Sequence, residues 1–385
     1  MAKKSVIFTI VISLLIVLSS PVLVQAQSGL SVLDSSAEAG FPSYLRFDLS
    51  TESDTTITDI RLHYRTERES IAQVTCEVYI QFVPDTAVDV QWTLDMRKTG
   101  GLPPGASLEY WWTVIDASGS RVETSPSSLI FDDNRYDWQS LTQGNVNLYW
   151  YEGGQSFAGE LMSAAQEALS RLAEDTGSYL KRPVNIYIYA NSDDLQGAMI
   201  FPQEWTGGVA FTEYGTIAIG INPVQLDWGK RTMAHELTHL VIRQMTFNPY
   251  IDLPTWLNEG LAMYNEGTLT AGFVSSLITA IAENSLISVR SLASPFSTDA
   301  DEAGLSYAQS YSFVEFLVTG YGQEKMLDLL TIFSLGCGYD QALREVYGFD
   351  MDGLNALWRD YVTVRYTEAR SGRVSPSPAL ALVGR

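Results

Sequence analysis

His235-Glu236-Leu237-Thr238-His239, followed by Trp256-Leu257-Asn258-Glu259-Gly260, decides how this chain is read. The first stretch holds two of the three histidines in 385 residues. On a helix, residues four apart share a face and lie about 6 Å apart along the axis, so both imidazoles can grip one metal ion from the same side. Glu236 then faces a water on that ion, and Glu259, 20 positions after His239, is placed to be the third protein ligand. A helix can also carry two half-buried histidines by accident, but three features argue against that. Thr232-Met233-Ala234, Leu237, Leu240 and Val241 put apolar residues at helical spacing and predict a helix from about Gly229 to Met245. A second helix is expected from Thr255, just past Pro254, with Glu259 in its first turns. The chain is also too poor in histidine for two to fall together through composition.

Two histidines and one carboxylate leave a fourth zinc position for water, which distinguishes a catalytic site from a closed structural one. Zn2+ is the expected cofactor; it lowers the pKa of bound water from about 15.7 to about 7. Glu236 would take that water's proton as general base and return it to a leaving amine.

The two blocks together resemble the gluzincin metallopeptidases, the thermolysin-like clan in which a glutamate completes the zinc site. Trp256-Leu257-Asn258-Glu259-Gly260-Leu261-Ala262 is similar to the WLNEGFA block of the aminopeptidase and leukotriene A4 hydrolase branch. Residues 306 to 322, from Ser306-Tyr307-Ala308-Gln309-Ser310-Tyr311 onward, resemble the helix that carries the branch's oxyanion-stabilising tyrosine. That resemblance implies Tyr307 for the role, with Tyr311 one turn later as the alternative and simple packing of both as the plain reading. It covers about residues 145 to 370, and as a whole the chain resembles secreted bacterial peptidase MA-like proteins, in which a β-sandwich precedes a compact gluzincin domain. Such a domain implies a small twisted sheet above the metal helix and a mostly helical lobe below. Its edge strand would be Gly207-Gly208-Val209-Ala210-Phe211, where Gly208, Val209 and Ala210 could pair with an extended polypeptide substrate. The branch's aminopeptidases carry a GxMEN motif there, whose glutamate holds a free amino end. This chain reads Gly-Gly-Val-Ala-Phe instead, which favours an endopeptidase. Met263 also stands where thermolysin-like enzymes place an aspartate, so Asn258 or another partner must orient a ligand.

Working outward, the front of the chain alternates with period two. Strands are expected at Tyr44 to Ser50, Thr58 to Arg65, Ala72 to Phe82, Ala87 to Leu94, Leu108 to Ile115, Arg121 to Thr124 and Ser128 to Phe131. Broken by Leu102-Pro103-Pro104-Gly105 and Asp116-Ala117-Ser118-Gly119, they predict an all-β sandwich resembling a fibronectin III or immunoglobulin-like module over residues 30–138. Trp111 and Trp112 alternate on one strand and are expected to give one edge and one core tryptophan rather than a sugar site. His63, alone in a strand, reads as an ordinary surface residue, and Asp132 to Trp138 as a charged connector without period.

An α+β peptidase-type domain is expected over 142–370. Its helices are expected at Ser156 to Leu180, Leu269 to Asn284, Ala303 to Thr319, Gln323 to Ser334, Gln341 to Tyr347 and Met351 to Thr367, with a strand at Val184 to Ala190 and a hairpin across Glu213-Tyr214-Gly215. Asp299-Ala300-Asp301-Glu302 lacks ordered calcium-ligand spacing and reads as a solvated loop. Residues 371–385 read as a flexible tail.

Lys3-Lys4, the apolar run Val6 to Leu18 and the small residues before position 27 predict a secretory signal over 1–26, an uncleaved anchor being the alternative, and hence an extracytoplasmic location. Its removal takes away Lys3 and Lys4 and no acid, so the net charge of −21 becomes −23. So acidic a surface repels nucleic acid and anionic lipid. Cys76 and Cys337 are far apart and are expected to be unpaired. The expected function is thus a secreted zinc endopeptidase. The competing expectation is an extracellular binding or adhesion protein, working through the sandwich, with a non-catalytic zinc domain.

Overall fold

The computed structural model describes residues 29–70, 72–202, 206–297 and 299–370. The expected signal segment and tail lie outside them. Strands β1 (Ser31–Gly40), β2 (Tyr44–Glu52), β3 (Ile57–Thr66), β4 (Cys76–Tyr79), β5 (Ala87–Asp95), β6 (Ala106–Asp116), β7 (Arg121–Glu123) and β8 (Ser127–Phe131) form the front part. They make two antiparallel sheets, one ordered β1-β2-β5, the other β4-β3-β6-β7 with β8 also on β6. Alternation drives this: Leu45, Phe47 and Leu49 of β2 and Ile60 and Leu62 of β3 point into one shared core with Trp112 and Val114. Trp112 is fully buried there, while Trp111 sits on the outer face, stacked on His63 with ring centroids 5.3 Å apart.

Four expectations are corrected. β1 was not foreseen, because its sequence SVLDSSAEAG carries little apolar alternation and it is held by backbone pairing to β2 at the sheet edge. The strand expected over Ala72 to Phe82 shrinks to Cys76–Tyr79, since only four residues find partners, Arg61 to Tyr64, on β3. His63 is no ordinary surface residue: its Nε2 lies 3.0 Å from Thr113 Oγ1 under the Trp111 ring. Ala300-Asp301-Glu302, expected in a solvated loop, open the helix Ala300–Tyr321; the charged connector is mostly exposed but anchored by Asp133, which is fully buried, bonded by Arg135 and accepts from the Tyr189 hydroxyl at 2.9 Å.

Beyond it run β9 (Gln139–Gln143), β10 (Val146–Trp150), α1 (Gly154–Thr176), β11 (Val184–Tyr189), α2 (Ser192–Gln196), β12 (Gly208–Phe211) and β13 (Thr216–Gly220). The five strands form one sheet in the order β12-β13-β11-β10-β9, with β10, β11 and β13 parallel and both edges antiparallel. Its centre is covered on both faces, which explains the near-continuous apolar reading of β11. Ile186 and Ile188 meet α1 and the metal helix, whereas Tyr187 and Tyr189 turn toward the front sheets. α1 stops at Thr176, short of the expected Leu180, because Gly177 takes φ 70° and its N–H caps Ala173 O.

The rest is helical: α3 (Leu226–Thr246), α4 (Thr255–Asn265), α5 (Ala271–Ala282), α6 (Ala300–Tyr321), α7 (Gln323–Ser334), α8 (Tyr339–Tyr347) and α9 (Met351–Arg370). Trp256, Leu261, Phe313, Val314 and Trp358 share their core, with Phe313 stacked on Trp358 at 4.0 Å. Among the described residues no helix is long and apolar enough to cross a membrane. Cys76 and Cys337 are both unpaired.

Candidate metal centre

Helix α3 is fixed on the sheet side by Met233, Leu237 and Leu240, which occupy one stripe against β10, β11, β13 and α1. That stripe leaves His235, Glu236 and His239 turned away from the sheet core. α4 is pinned across α3 by Asn265, whose Nδ2 donates to Thr238 Oγ1 at 2.8 Å. Gly260 lets α4 close on α6, since a Cβ there would fall 2.4 Å from Ser310 O. Together these contacts bring Glu259 to the two histidines.

The three side chains converge: Glu259 Oε2 lies 3.4 Å from His235 Nε2 and 3.6 Å from His239 Nε2. One donor atom from each lies within 4.8 Å of the others. Donors about 2.0–2.2 Å from a tetrahedral zinc stand about 3.4 Å apart, so the set fits that ion. The other ring nitrogens are already engaged. His235 Nδ1 is 2.8 Å from Glu266 Oε1, and His239 Nδ1 is 3.2 Å from Asn258 Oδ1. Both Nε2 atoms are thereby aimed inward, as outer partners do at metal-binding histidines. Arg231 Nη2 donates to Glu266 at 3.3 Å and holds it in turn.

Burial and the crowding of acids and imidazoles shift the ionisation of the cluster. Burial pushes the His235 imidazole down, but hydrogen bonds to Glu259 and Glu266 outweigh it and hold the ring up at about 10. Burial raises Glu236 above the ordinary carboxylate range, against the pull of His235 and His239. For Glu259 burial pushes the same way, but the two imidazoles prevail and lower it.

Glu236 faces the edge strand. A Cβ on Gly208 would lie 3.0 Å from Glu236 Oε1 and 3.1 Å from Thr232 Cγ2, a tight fit that would shift the Glu236 or Thr232 side chain by a few tenths of an ångström. Gly208, Val209 and Ala210 occupy the open edge of the sheet, each partly exposed. Tyr307 sits beside the cluster, its ring centroid 6.4 Å from that of His235, with Phe296 edge-on at 5.2 Å. Burial, then Glu259 and Glu236, raise its phenol well above the ordinary value. Tyr311 instead packs on Tyr264 in the helical core. Glu266 was missed by sequence reading. Its signal was a carboxylate seven residues after Glu259, two turns along the same face, where it caps the C-terminus of α4.

The chain belongs to the Peptidase MA superfamily, whose family model matches residues 164–364. Within it, the histidine pair and later glutamate are of the gluzincin type. Among solved structures it is similar to wild-type OgpA from Akkermansia muciniphila, at 11% identity over 28% of each chain with a TM-score of 0.22. The chain thus spans 28% of OgpA's length. It is also similar to the M1 zinc metallopeptidase from Deinococcus radiodurans, at 13% identity over 93% of this chain and 97% of that one, with a TM-score of 0.37. No curated protein matches it by sequence.

Proposed function

We propose that the chain is a secreted, extracytoplasmic zinc endopeptidase, with a fibronectin III or immunoglobulin-like sandwich over 30–138 and a gluzincin domain, helical in its lower lobe, over 142–370. The observation that carries this reading is the convergence of His235, His239 and Glu259, with Glu236 beside them under an open strand edge. His235 Nε2, His239 Nε2 and a Glu259 oxygen would hold the ion. Bound there, zinc supplies Lewis acidity toward a carbonyl oxygen and lowers the pKa of water.

The chain's own residues do the rest. β12 binds an extended polypeptide by backbone hydrogen bonds and sets the scissile bond over Glu236. Glu236 takes a proton from the attacking water and delivers it to the leaving nitrogen, a role suited to a carboxyl raised by burial. The Tyr307 hydroxyl, kept protonated, donates to the carbonyl oxygen as that atom gains charge. The Gly-Gly-Val-Ala-Phe strand offers no carboxylate for a free amino end, which supports internal cleavage.

Metal analysis of the purified chain, followed by digestion of unfolded protein with and without chelator, tests this. About one zinc per chain is expected, with chelator-sensitive cleavage at internal bonds and a loss of about 10²–10⁴-fold in kcat for Glu236→Gln at unchanged metal content. Equal activity in that variant would sink the proposal.

A further inference from the structure

Beside the metal cluster, at the Thr212 end of β12, lies a cavity of about 160 Å³ walled by Thr212, His239, Ile242, Arg243, Leu253 and Asn258. It has room for at least about five water-sized groups, the heavy-atom count of a glutamate side chain. β12 runs along α3 in the same sense, from Gly207 against Trp228, past Gly208 against Glu236, to Thr212 at this pocket. A polypeptide added antiparallel to β12, the slightly more stable pairing, therefore places here the side chain just before the scissile bond.

Arg243, one turn beyond His239, is the cation of this pocket, and it is held from behind. The loop after β3 brings Glu69 from the front sheets, where it pairs with Arg182 and lies 3.8 Å from Arg243 Nε. The Glu69 backbone is itself fixed, its N–H donating to Glu213 O at 2.7 Å. The guanidinium also lies 4.6 Å over the Phe247 ring. Its Nε is buried without a hydrogen-bond partner. The remaining contact is Nη1 to Asp252 at 3.2 Å, and that aspartate is 86% exposed on a surface loop. A side chain so exposed gives up little on turning to solvent. The pocket thus holds a fixed, half-satisfied cation with a displaceable carboxylate already on it, and Ile242, Ile251 and Leu253 supply its apolar lining.

We infer that this pocket selects an acidic side chain immediately N-terminal to the cleaved bond, with Arg243 as its recognition group and the front sheets' Glu69 as the residue positioning it. The inference rests on the peptidase reading above. Ile242 and Leu253 would pack the methylenes of a glutamate, and its carboxylate would replace that of Asp252 on the guanidinium fork.

Digestion of an unstructured peptide library by the zinc-loaded full chain, read by mass spectrometry, should show Glu before the cleaved bond about tenfold more often than Gln. Arg243→Gln should erase the preference, Arg243→Lys should keep part of it, and Asp252→Asn should sharpen it. A second readout needs no turnover. Glu236→Gln protein, titrated with a capped octapeptide bearing one central Glu, should bind it about tenfold more tightly than the Gln counterpart, and adding Arg243→Gln should equalise the two. Cleavage before Glu and Gln alike, or a preference that survives Arg243→Gln, overturns the acidic pocket and leaves the peptidase intact. Glu-selective binding with no cleavage of any library member upholds the pocket and removes the peptidase reading.

Discussion

At the scale of single residues the centre is built in two shells, and the outer one is the more informative. His235 and His239 would offer the same nitrogens to a metal in many rotamers. Glu266 and Asn258 remove that freedom by engaging both Nδ1 atoms. Glu266→Ala should therefore weaken zinc binding about 10–100-fold in a chelator competition, with Asn258→Ala acting in the same direction. The inner shell was legible because the spacing of His235 and His239 is a property of any helix. Glu266 shares a face with Glu259, seven residues on, but that spacing alone cannot tell it from a solvated helix acid until α4 is laid across α3. Tyr307 and Tyr311 illustrate the same limit. They lie one turn apart on one helix, and only the packing of α6 places the first by His235 and the second beside Tyr264.

At the scale of elements, close approach is the recurring device. β12 passes close over Glu236 at Gly208, where any side chain would crowd Glu236 and Thr232. Gly208→Val should push the strand or Glu236 aside, lowering kcat at unchanged zinc content in a metal-titrated assay. Gly260→Ala acts on stability instead, since its methyl would meet the α6 backbone at Ser310 O; a cost of about 1–3 kcal/mol in urea unfolding is expected.

The turn after β6 gives a pH-dependent case. Asp116 accepts from Ser118, Ser53 and Ser120, and the Ser118 hydrogen bond leads in holding its carboxyl down at about 2. A carboxylate held below its unfolded value of about 3.9 stabilises the fold above that pH and loses the contribution as pH falls toward 2. Asp116→Asn should accordingly lower Tm at pH 7, with the gap to wild type closing between pH 4 and 2 in a thermal scan series.

The strands and helices with strong period were readable in advance, α7 to the residue. Those that escaped are β1, β9, β10 and α2: β1, β9 and α2 are short or polar and owe their existence to a neighbour's edge or a cap such as Asn191 on Asp194 N–H, while β10 buries Val146, Leu148 and Trp150 but is only five residues long.

At the scale of the whole molecule, the front sheets and the mixed sheet share one apolar core. Tyr187, Tyr189, Leu195 and Ala218 belong to the same buried cluster as Phe47 and Trp112. Tyr136, Trp138 and Tyr151 fill the seam, with Tyr136 and Tyr151 stacked at 4.1 Å. The chain should consequently melt as one unit across this seam, the near- and far-ultraviolet circular dichroism transitions coinciding. Tyr189→Phe, which strips the buried Asp133 of a donor, should cost about 1–3 kcal/mol.

The sunken joint at Asp133 also limits how such a molecule can be recombined. A splice made there would bare two aromatic surfaces at once. Anyone grafting a different front piece onto the body that carries the metal cluster must bring along the mating layer of tyrosines and tryptophan, or design its replacement.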